Sequence, residues 1–312
     1  MLVETDPHSG FCGGVIRAIS KAEEFLSGNP RLYSLGEMVH NEAELARLEA
    51  KGLECIRVSD LESIPEGGTV LIRAHGEPPS TYRAAARLNI IDCTCPVVLG
   101  LQKSIREAAA RLSGKGTIVI FGKIGHPEVL GLVGQTAQTA GPGSAKAGLL
   151  QDSLPDAAKP RTAPGGPVVV ENLAQLQAAV EDGRITAPVE VFSQTTKSPV
   201  EYADICACLQ QRFPGTAVHE TICSQVADRH RRLSEFAAGH DVIVFVAGKQ
   251  SSNGRVLFEL CRKVNPRSHF VGDAADIRPE WFEGARSAGV CGATSTPKWL
   301  LENVAQAIKK LQ

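Results

Sequence analysis

Three apolar runs of the sequence each end in polar residues that could do chemistry. "GTVLI" leads into "RAHGEP", "GTIVIF" leads into "GKIGHPEV", and "DVIVFV" leads into "AGKQSSNG". Apolar runs of this length indicate buried strands. Open parallel sheets bind their ligands beyond the carboxyl ends of the strands. We therefore predict that these polar ends form a ligand site.

The residue types at these ends favour a polyanionic ligand. His40, His75 and His126 each stand at or just after an apolar run, together with "SQTTKS" and "KQSSNG". A lone histidine in a loop is more often structural, but three placed alike beside hydroxyl and amide groups favour a site. Ser252 or Asn253 can instead cap the helix that "SSNGRVLFEL" begins, a role compatible with phosphate binding at a helix amino terminus. Ser295 in "GATSTPKWLLENV" has the same two interpretations.

The nine cysteines are spread over the whole chain, which argues against a disulfide framework in a reducing compartment. Most of those in helical or strand patterns are interpreted as core residues: Cys55, Cys206, Cys208, Cys261 and Cys291.

Three other cysteines lie where a metal could reach them. Cys12 is bracketed by glycines in "SGFCGGV", Cys95 ends a strand before a proline, and Cys223 precedes an Arg-rich helical pattern. An ordinary Gly-rich turn from strand to helix would also explain Cys12. A buried cysteine at a helix start would explain Cys223 equally well. Side chains alternate along a strand, so Cys93 and Cys95 are expected on one side and spacing does not choose between them.

Composition limits the kind of partner. The chain has 312 residues, 43% of them hydrophobic, and a net charge of -1 from 33 Lys and Arg against 34 Asp and Glu. This length suggests two or three domains. We find no basic footprint for nucleic acid or a membrane surface, no signal peptide, and no apolar stretch near the ~20 residues that span a bilayer. A cytoplasmic protein with a small-molecule ligand is expected.

The order of patterns predicts an α/β chain with mostly parallel strands. Strand-length apolar runs near residues 69–73, 117–121, 189–192 and 242–247 alternate with helical patterns such as "NEAELARLEAKG". From about residue 136 to 167 the chain becomes rich in Ala, Gly and Pro, which predicts a mobile surface insertion whose removal leaves function intact.

A series of motifs resembles the 4-hydroxy-3-methylbut-2-enyl diphosphate reductases. In order along nearly the whole chain they are "GFCGGV", "MVHN", "AHG", "TCPVV", "GHPEV", "QTT", "TIC", "SSNG" and "ATSTP". The resemblance implies three similar α/β domains with mostly parallel sheets around a central 4Fe-4S cluster. The expected domains are residues 13–95, residues 96–221 with the insertion, and residues 222–312 together with 1–12.

The resemblance also implies roles for single residues. Cys12, Cys95 and Cys223 match the three cluster ligands, which favours Cys95 over Cys93. Glu128 matches the proton donor and Thr195 the threonine near the substrate hydroxyl. The implied diphosphate-binding residues are His40, His75, His126, Ser251, Ser252, Asn253 and Ser295.

The implied reaction is reductive removal of an allylic hydroxyl, which yields isopentenyl and dimethylallyl diphosphate. It needs two electrons and two protons, and no amino-acid side chain supplies those electrons. Three thiolates on a 4Fe-4S cluster leave one iron open to the substrate hydroxyl. The resemblance suggests ferredoxin or flavodoxin as the electron donor.

Two other classes compete with this interpretation. A zinc-binding or cluster-carrying protein without catalysis would use the same thiolates, but it leaves the histidine and hydroxyl ends unexplained. A Cys/His nucleophilic enzyme, with Cys12 as its nucleophile, lacks a local signature in this sequence.

Overall fold

A computed structural model of the protein describes residues 1–136, 166–249 and 251–311, without the side chains of Ala227 and Ser252. The predicted insertion at about residues 136–167 lies, apart from its ends, outside the described residues.

The described chain alternates strands and helices. The strands are β1 (Leu2–Thr5), β2 (Leu32–Leu35), β3 (Leu53–Ile56), β4 (Thr69–Ile72), β5 (Asn89–Asp92), β6 (Thr117–Phe121), β7 (Val168–Val170), β8 (Val189–Ser193), β9 (Ala217–Val218), β10 (Val242–Val246), β11 (Ser268–Val271) and β12 (Ser287–Gly292). The helices are α1 (Gly13–Leu26), α2 (Glu42–Glu49), α3 (Pro79–Ala84), α4 (Pro96–Leu112), α5 (Pro127–Thr136), α6 (Leu173–Glu181), α7 (Pro199–Arg212), α8 (Ser224–Ala238), α9 (Ser252–Val264) and α10 (Lys298–Lys309). Short 3₁₀ helices cover Val58–Ser63, Ala274–Asp276 and Pro279–Phe282.

These strands form three four-stranded sheets. The first has the order β1-β12-β10-β11 and the third the order β7-β6-β8-β9, with every neighbouring pair parallel. The second sheet consists of β2, β3, β4 and β5, and its β4–β5 pair is parallel. The predicted fold class, α/β with three mostly parallel sheets, is confirmed.

Three inner strands of the first and third sheets are buried along their whole length. β6, β8 and β10 contain no exposed residue. A strand covered by helices on both faces reads as a continuous apolar run rather than an alternating one. This is why the runs near residues 117–121, 189–192 and 242–247 predicted β6, β8 and β10 to within one residue at each end.

The chain divides into two compact units. One joins Met1–Cys55 to Ser224–Gln312 and contains the first sheet, and the other is Ile56–Cys223 and contains the third. Each unit has its own apolar core, around β10 and β12 in the first and around β6 and β8 in the second. The three domain boundaries expected from the sequence stay a prediction.

The crossovers place the polar segments at the carboxyl ends of strands within each unit. In the unit of residues 56–223, such loops follow β4, β6 and β8, and in the other unit they follow β1, β10 and β12. Among the described residues, no helix combines the length and the apolar composition that crossing a membrane requires.

Candidate active site

A buried carboxyl group lies in the interior of the Ile56–Cys223 unit. Glu128 lies in the first turn of α5 and is only 1% exposed. Its Oε1 accepts a hydrogen bond from the Thr195 backbone N–H at 2.7 Å, and its Oε2 accepts one from the Thr195 hydroxyl at 2.9 Å. The site residues that the sequence singled out on two different loops are therefore in direct contact.

The environment of Glu128 adapts it to proton transfer. Burial raises the pKa of this carboxyl to about 7, although the two hydrogen bonds from Thr195 favour the ionised form. A general acid works best when its pKa lies near the working pH. Near neutrality Glu128 can thus hold a proton and release it, and the Thr195 hydroxyl lies in direct contact with it.

Two predicted histidines lie together, and one of them contacts the backbone of Glu128. The rings of His75 and His126 meet edge to face, with their centroids 5.2 Å apart. The backbone N–H of Glu128 donates to Nδ1 of His126 at 3.2 Å. An Nδ1 atom that accepts leaves the ring proton on Nε2, so a neutral His126 presents an N–H donor on its other side.

A set of polar contacts that the sequence did not single out fixes the loops carrying Glu128 and Thr195. Gln194 is buried, accepts from the Lys123 backbone N–H at 3.0 Å and donates to the Thr196 hydroxyl at 3.2 Å. Lys197 donates to the Glu171 carbonyl at 3.0 Å while its Nζ lies over the Phe121 ring. These contacts link the segments that follow β6, β7 and β8.

In the other unit, the predicted hydroxyl and amide residues also come together. The hydroxyl oxygens of Ser251 and Ser295 lie 3.3 Å apart, and the Asn253 amide donates to the Thr294 hydroxyl at 2.8 Å. The polar segments after β10 and β12 thus meet, as expected for neighbouring parallel strands.

The capping predictions for these segments were wrong. Ser251, and not Ser252 or Asn253, caps α9, because its hydroxyl accepts from the Gly254 backbone N–H at 3.0 Å. The residue that precedes α10 is Pro297, so Ser295 is not its cap. Ser252 begins α9, and its side chain is outside the description.

His40 lies against the segment that leads to Ser251 and Asn253. A Cβ added to Gly248 would stand 2.4 Å from the His40 carbonyl oxygen, so only glycine permits this close approach of two backbones. The carbonyl of Gly248 in turn accepts from the Ser251 N–H at 3.0 Å. Four predicted residues of this unit, His40, Ser251, Asn253 and Ser295, therefore belong to one connected group of loops.

The three predicted ligand cysteines occupy the same kind of position in the chain, directly before a helix. Cys12, Cys95 and Cys223 are partly exposed, and each immediately precedes the first residue of a helix, α1, α4 and α8. A helix amino terminus favours negative charge, such as that of a thiolate bound to a metal. The donors at these three positions fit a metal or an iron-sulfur group.

The remaining cysteines have other surroundings. Cys93, Cys206, Cys261 and Cys291 are buried. Cys55 lies in β3, and Cys208 lies in α7 and packs against the core of its unit.

The expectation that Cys93 and Cys95 share one side of a strand was wrong. β5 ends at Asp92, whose Oδ1 accepts from both the backbone N–H and the hydroxyl of Thr94. This turn sends Cys93 into the core and leaves Cys95 at the start of α4, where Pro96 takes the first helical position. Strand alternation therefore does not apply to the pair.

The buried charge of Arg229 was not predicted from the sequence. Arg229 in α8 is 7% exposed and donates to the carbonyl of His8 and to the hydroxyl of Ser9, in the segment that leads to Cys12. Its position on the apolar stripe of α8, between Val226 and Leu233, was the available signal.

Comparison with known proteins identifies the family to which this chain belongs. The family model described as LytB protein matches residues 3–309. The chain belongs to the LytB family. Among LytB relatives, the 4-hydroxy-3-methylbut-2-enyl diphosphate reductase of Bacteroides fragilis is 44% identical to this chain. The match covers 98% of this chain and 97% of the length of the relative. The reductase of the same name from Parabacteroides distasonis is 44% identical over 99% and 98%.

Solved structures agree with the LytB assignment. The chain matches a structure of (E)-4-hydroxy-3-methyl-but-2-enyl diphosphate reductase, the terminal enzyme of the non-mevalonate pathway, with 30% identity and a TM-score of 0.67, over 99% of this chain and 100% of that one. The Plasmodium falciparum E-1-hydroxy-2-methyl-but-2-enyl-4-diphosphate reductase, 23% identical with a TM-score of 0.78 over 98% and 87%, shares the fold.

The raised pKa of Glu128 predicts a pH dependence of stability. The folded state holds this proton up to a pKa of about 7, whereas the unfolded carboxyl loses it near 4.5. The folded state therefore binds more protons in this window, and stability falls as pH rises from about 4.5 to 7. At about 1.36 kcal/mol per pKa unit, the free energy of unfolding falls by an amount on the order of 3 kcal/mol.

Glu128→Gln should remove this pH-dependent loss. Urea unfolding of both proteins between pH 4.5 and 8 measures it, with the exposed Glu107→Gln as the control that retains it. Parallel pH profiles for Glu128→Gln and the unmodified protein would contradict the raised pKa.

Proposed function

We propose that this LytB family member removes the allylic hydroxyl of 4-hydroxy-3-methylbut-2-enyl diphosphate reductively, giving isopentenyl and dimethylallyl diphosphate. The observation that carries the proposal is the buried Glu128 carboxyl, held by the backbone N–H and the hydroxyl of Thr195 and with a pKa near neutrality. The names of the full-length relatives point to the same reaction. The substrate, two electrons and two protons give the product and one water.

The proposed cofactor is a 4Fe-4S cluster ligated by Cys12, Cys95 and Cys223. Its support is the common position of these thiols directly before helices and their partial exposure. When bound, such a cluster would supply the electrons and an iron with an open position for the substrate hydroxyl. A zinc protein or a Cys/His nucleophilic enzyme would leave the Glu128–Thr195 pair without a role.

The diphosphate of the substrate is proposed to bind neutral donors and histidines. Asn253 and Ser295 offer an amide and a hydroxyl, and α9 presents its amino terminus beside Ser251. With Ser252, His40, His75 and His126, these residues form the proposed binding set. Hydrogen bonds to the diphosphate would orient the hydroxymethyl group, which is remote from it, toward the site of reaction.

Glu128 is proposed as the source of the proton that leaves with the hydroxyl as water. The carboxyl has no room for bulk water, because it is 1% exposed, and its Oε2 already contacts the Thr195 hydroxyl at 2.9 Å. Thr195 can accept the Glu128 proton while donating its own toward the substrate. The second proton reaches carbon at either end of the allylic system, which accounts for two isomeric products.

The remaining proposals concern the domain boundaries, the electron donor and the cellular location. We propose three α/β domains with the boundaries given above, a small redox protein such as ferredoxin or flavodoxin as electron donor, and a cytoplasmic location. None of the nine cysteines, all of which are described, forms a disulfide, as suits a reducing compartment.

Anaerobically purified protein should convert 4-hydroxy-3-methylbut-2-enyl diphosphate to both isomers when a chemical reductant is supplied. Product formation and the absorbance of the cluster, followed together, provide the test. A brown protein with an intact cluster but no turnover would require another substrate. Colourless protein that is active, or that contains zinc, would contradict the proposal.

Single Cys12→Ser, Cys95→Ser and Cys223→Ser variants should each lose the cluster or bind it poorly, because serine replaces a thiolate ligand. Buried Cys93→Ser and Cys261→Ser are the matched controls and should keep their iron. Iron content after anaerobic reconstitution is the measurement. Loss of iron in Cys93→Ser with retention in Cys95→Ser would show that the ligand assignment after β5 is wrong.

Glu128→Gln should lower turnover about 100-fold or more, the usual scale for a removed general acid. The side chain keeps its size, so iron content and substrate affinity should stay close to those of the unmodified enzyme. Steady-state kinetics and the spectral change on substrate binding separate the two effects. Turnover at the normal rate, or lost binding with normal turnover at saturation, would exclude Glu128 as the proton donor.

A further inference from the structure

The guanidinium group of Arg229 is buried among neutral partners. Nη1 donates to the His8 carbonyl at 2.5 Å, and Nη2 donates to the Ser9 hydroxyl at 3.2 Å and to the Gly292 carbonyl. In the described residues no carboxylate accepts a hydrogen bond from it. Arg229 is thus a cation that is shielded from solvent and has no carboxylate partner in direct contact among the described residues.

A charge in this position is costly unless something compensates it. Burial lowers the pKa of Arg229, and Asp6 is the strongest opposing influence, with Cys12 and Cys291 also contributing. Asp6 does not touch the guanidinium. Its Oδ2 accepts from the Ser9 hydroxyl at 2.7 Å and its Oδ1 from the His8 backbone N–H at 3.0 Å. The Asp6 carboxylate is therefore linked to the guanidinium through one hydroxyl group, that of Ser9.

The contacts of Arg229 fix the loop between β1 and α1, residues 6–12, which ends in Cys12. The Ser9 hydroxyl also accepts from the Gly292 backbone N–H at 3.0 Å, which ties the loop to the end of β12. Gly10 has φ of +116°, and a Cβ there would stand 3.3 Å from the Lys298 side chain. The loop is therefore held between α8, β12 and the start of α10.

We propose that Arg229 is a positioning residue that fixes the Cys12 loop and, as a permanent positive charge behind it, raises the reduction potential of the cluster. The inference rests on the proposed function, because it requires the cluster. It assigns this residue no contact with substrate.

The charge of the ligand set determines the direction of the electrostatic effect. Three thiolates give a 4Fe-4S cluster a net negative charge, which increases by one when an electron is added. A buried cation favours the more negative state, and low local dielectric strengthens the effect. Removing the guanidinium also leaves Asp6 buried and less compensated, so both changes oppose reduction.

Arg229→Met removes the charge and keeps much of the length, Arg229→Lys keeps the charge, and Arg231→Gln on the exposed face of α8 is the control. Anaerobic redox titration of the loaded proteins, followed by electron paramagnetic resonance, measures the potential. We expect Arg229→Met to show at least a tenfold lower ratio of reduced to oxidised cluster at a fixed potential, a shift of about 59 mV for one electron.

Arg229→Lys should stay within about threefold of the unmodified ratio, and Arg231→Gln should match it. An iron-replete Arg229→Met with an unchanged potential would overturn the proposed charge effect, as would an equal decrease in the Met and Lys variants. Absence of a cluster from the unmodified protein would instead contradict the proposed function, so the two failures are distinguishable.

Ser9→Ala provides a second variant if the Arg229 variants do not fold. It removes the hydroxyl that joins Arg229, Asp6 and Gly292 but keeps the cation. We expect release of iron to a chelator to become at least about fivefold faster in Ser9→Ala, with circular dichroism unchanged. An unchanged release rate would overturn the proposed fixing of the Cys12 loop.

Discussion

The contact between Glu128 and Thr195 depends on the pairing of two neighbouring parallel strands. Phe121 at the end of β6 lies opposite Ser193 at the end of β8, and the Gln194 N–H donates to the Phe121 carbonyl at 2.8 Å. The loops after both strands consequently leave the sheet at one edge. Thr195 comes two residues beyond β8, so its backbone N–H and hydroxyl reach both oxygens of Glu128. A register shift of one residue would remove these contacts.

The pairing of neighbouring parallel strands also organises the other unit, where the loop residues have different chemistry. Val246 of β10 lies opposite Gly292 of β12, and the segments beyond them bring Ser251 within 3.3 Å of Ser295. Here the neighbouring ends supply hydroxyl and amide groups that suit a diphosphate, while β6 and β8 supply a carboxyl group that suits proton transfer. Parallel crossovers thus determine where functional groups lie, and the loop residues determine what those groups can do.

The sequence was most informative where burial is complete. β6 and β10 were predictable because strands covered on both faces appear as uninterrupted apolar runs. It was least informative at the ends of elements, where one hydrogen bond decides the backbone path. The Asp92–Thr94 turn separates Cys93 from Cys95, and the Ser251 hydroxyl determines which serine caps α9. Residue types do not reveal which of several competing local hydrogen bonds forms.

The burial of Arg229 was not predicted because arginine is usually exposed, although its position in α8 indicates a buried residue. Val226, Leu233 and Ala237 form the buried stripe of α8, and Arg229 occupies the same stripe. Its chemistry also differs from that of Glu128 in a way that matters for the roles proposed for the two residues. A buried carboxyl can escape ionisation by taking up a proton near pH 7, and this makes it useful for proton transfer. A guanidinium group does not lose its proton in proteins, so a buried arginine provides a lasting electric field instead.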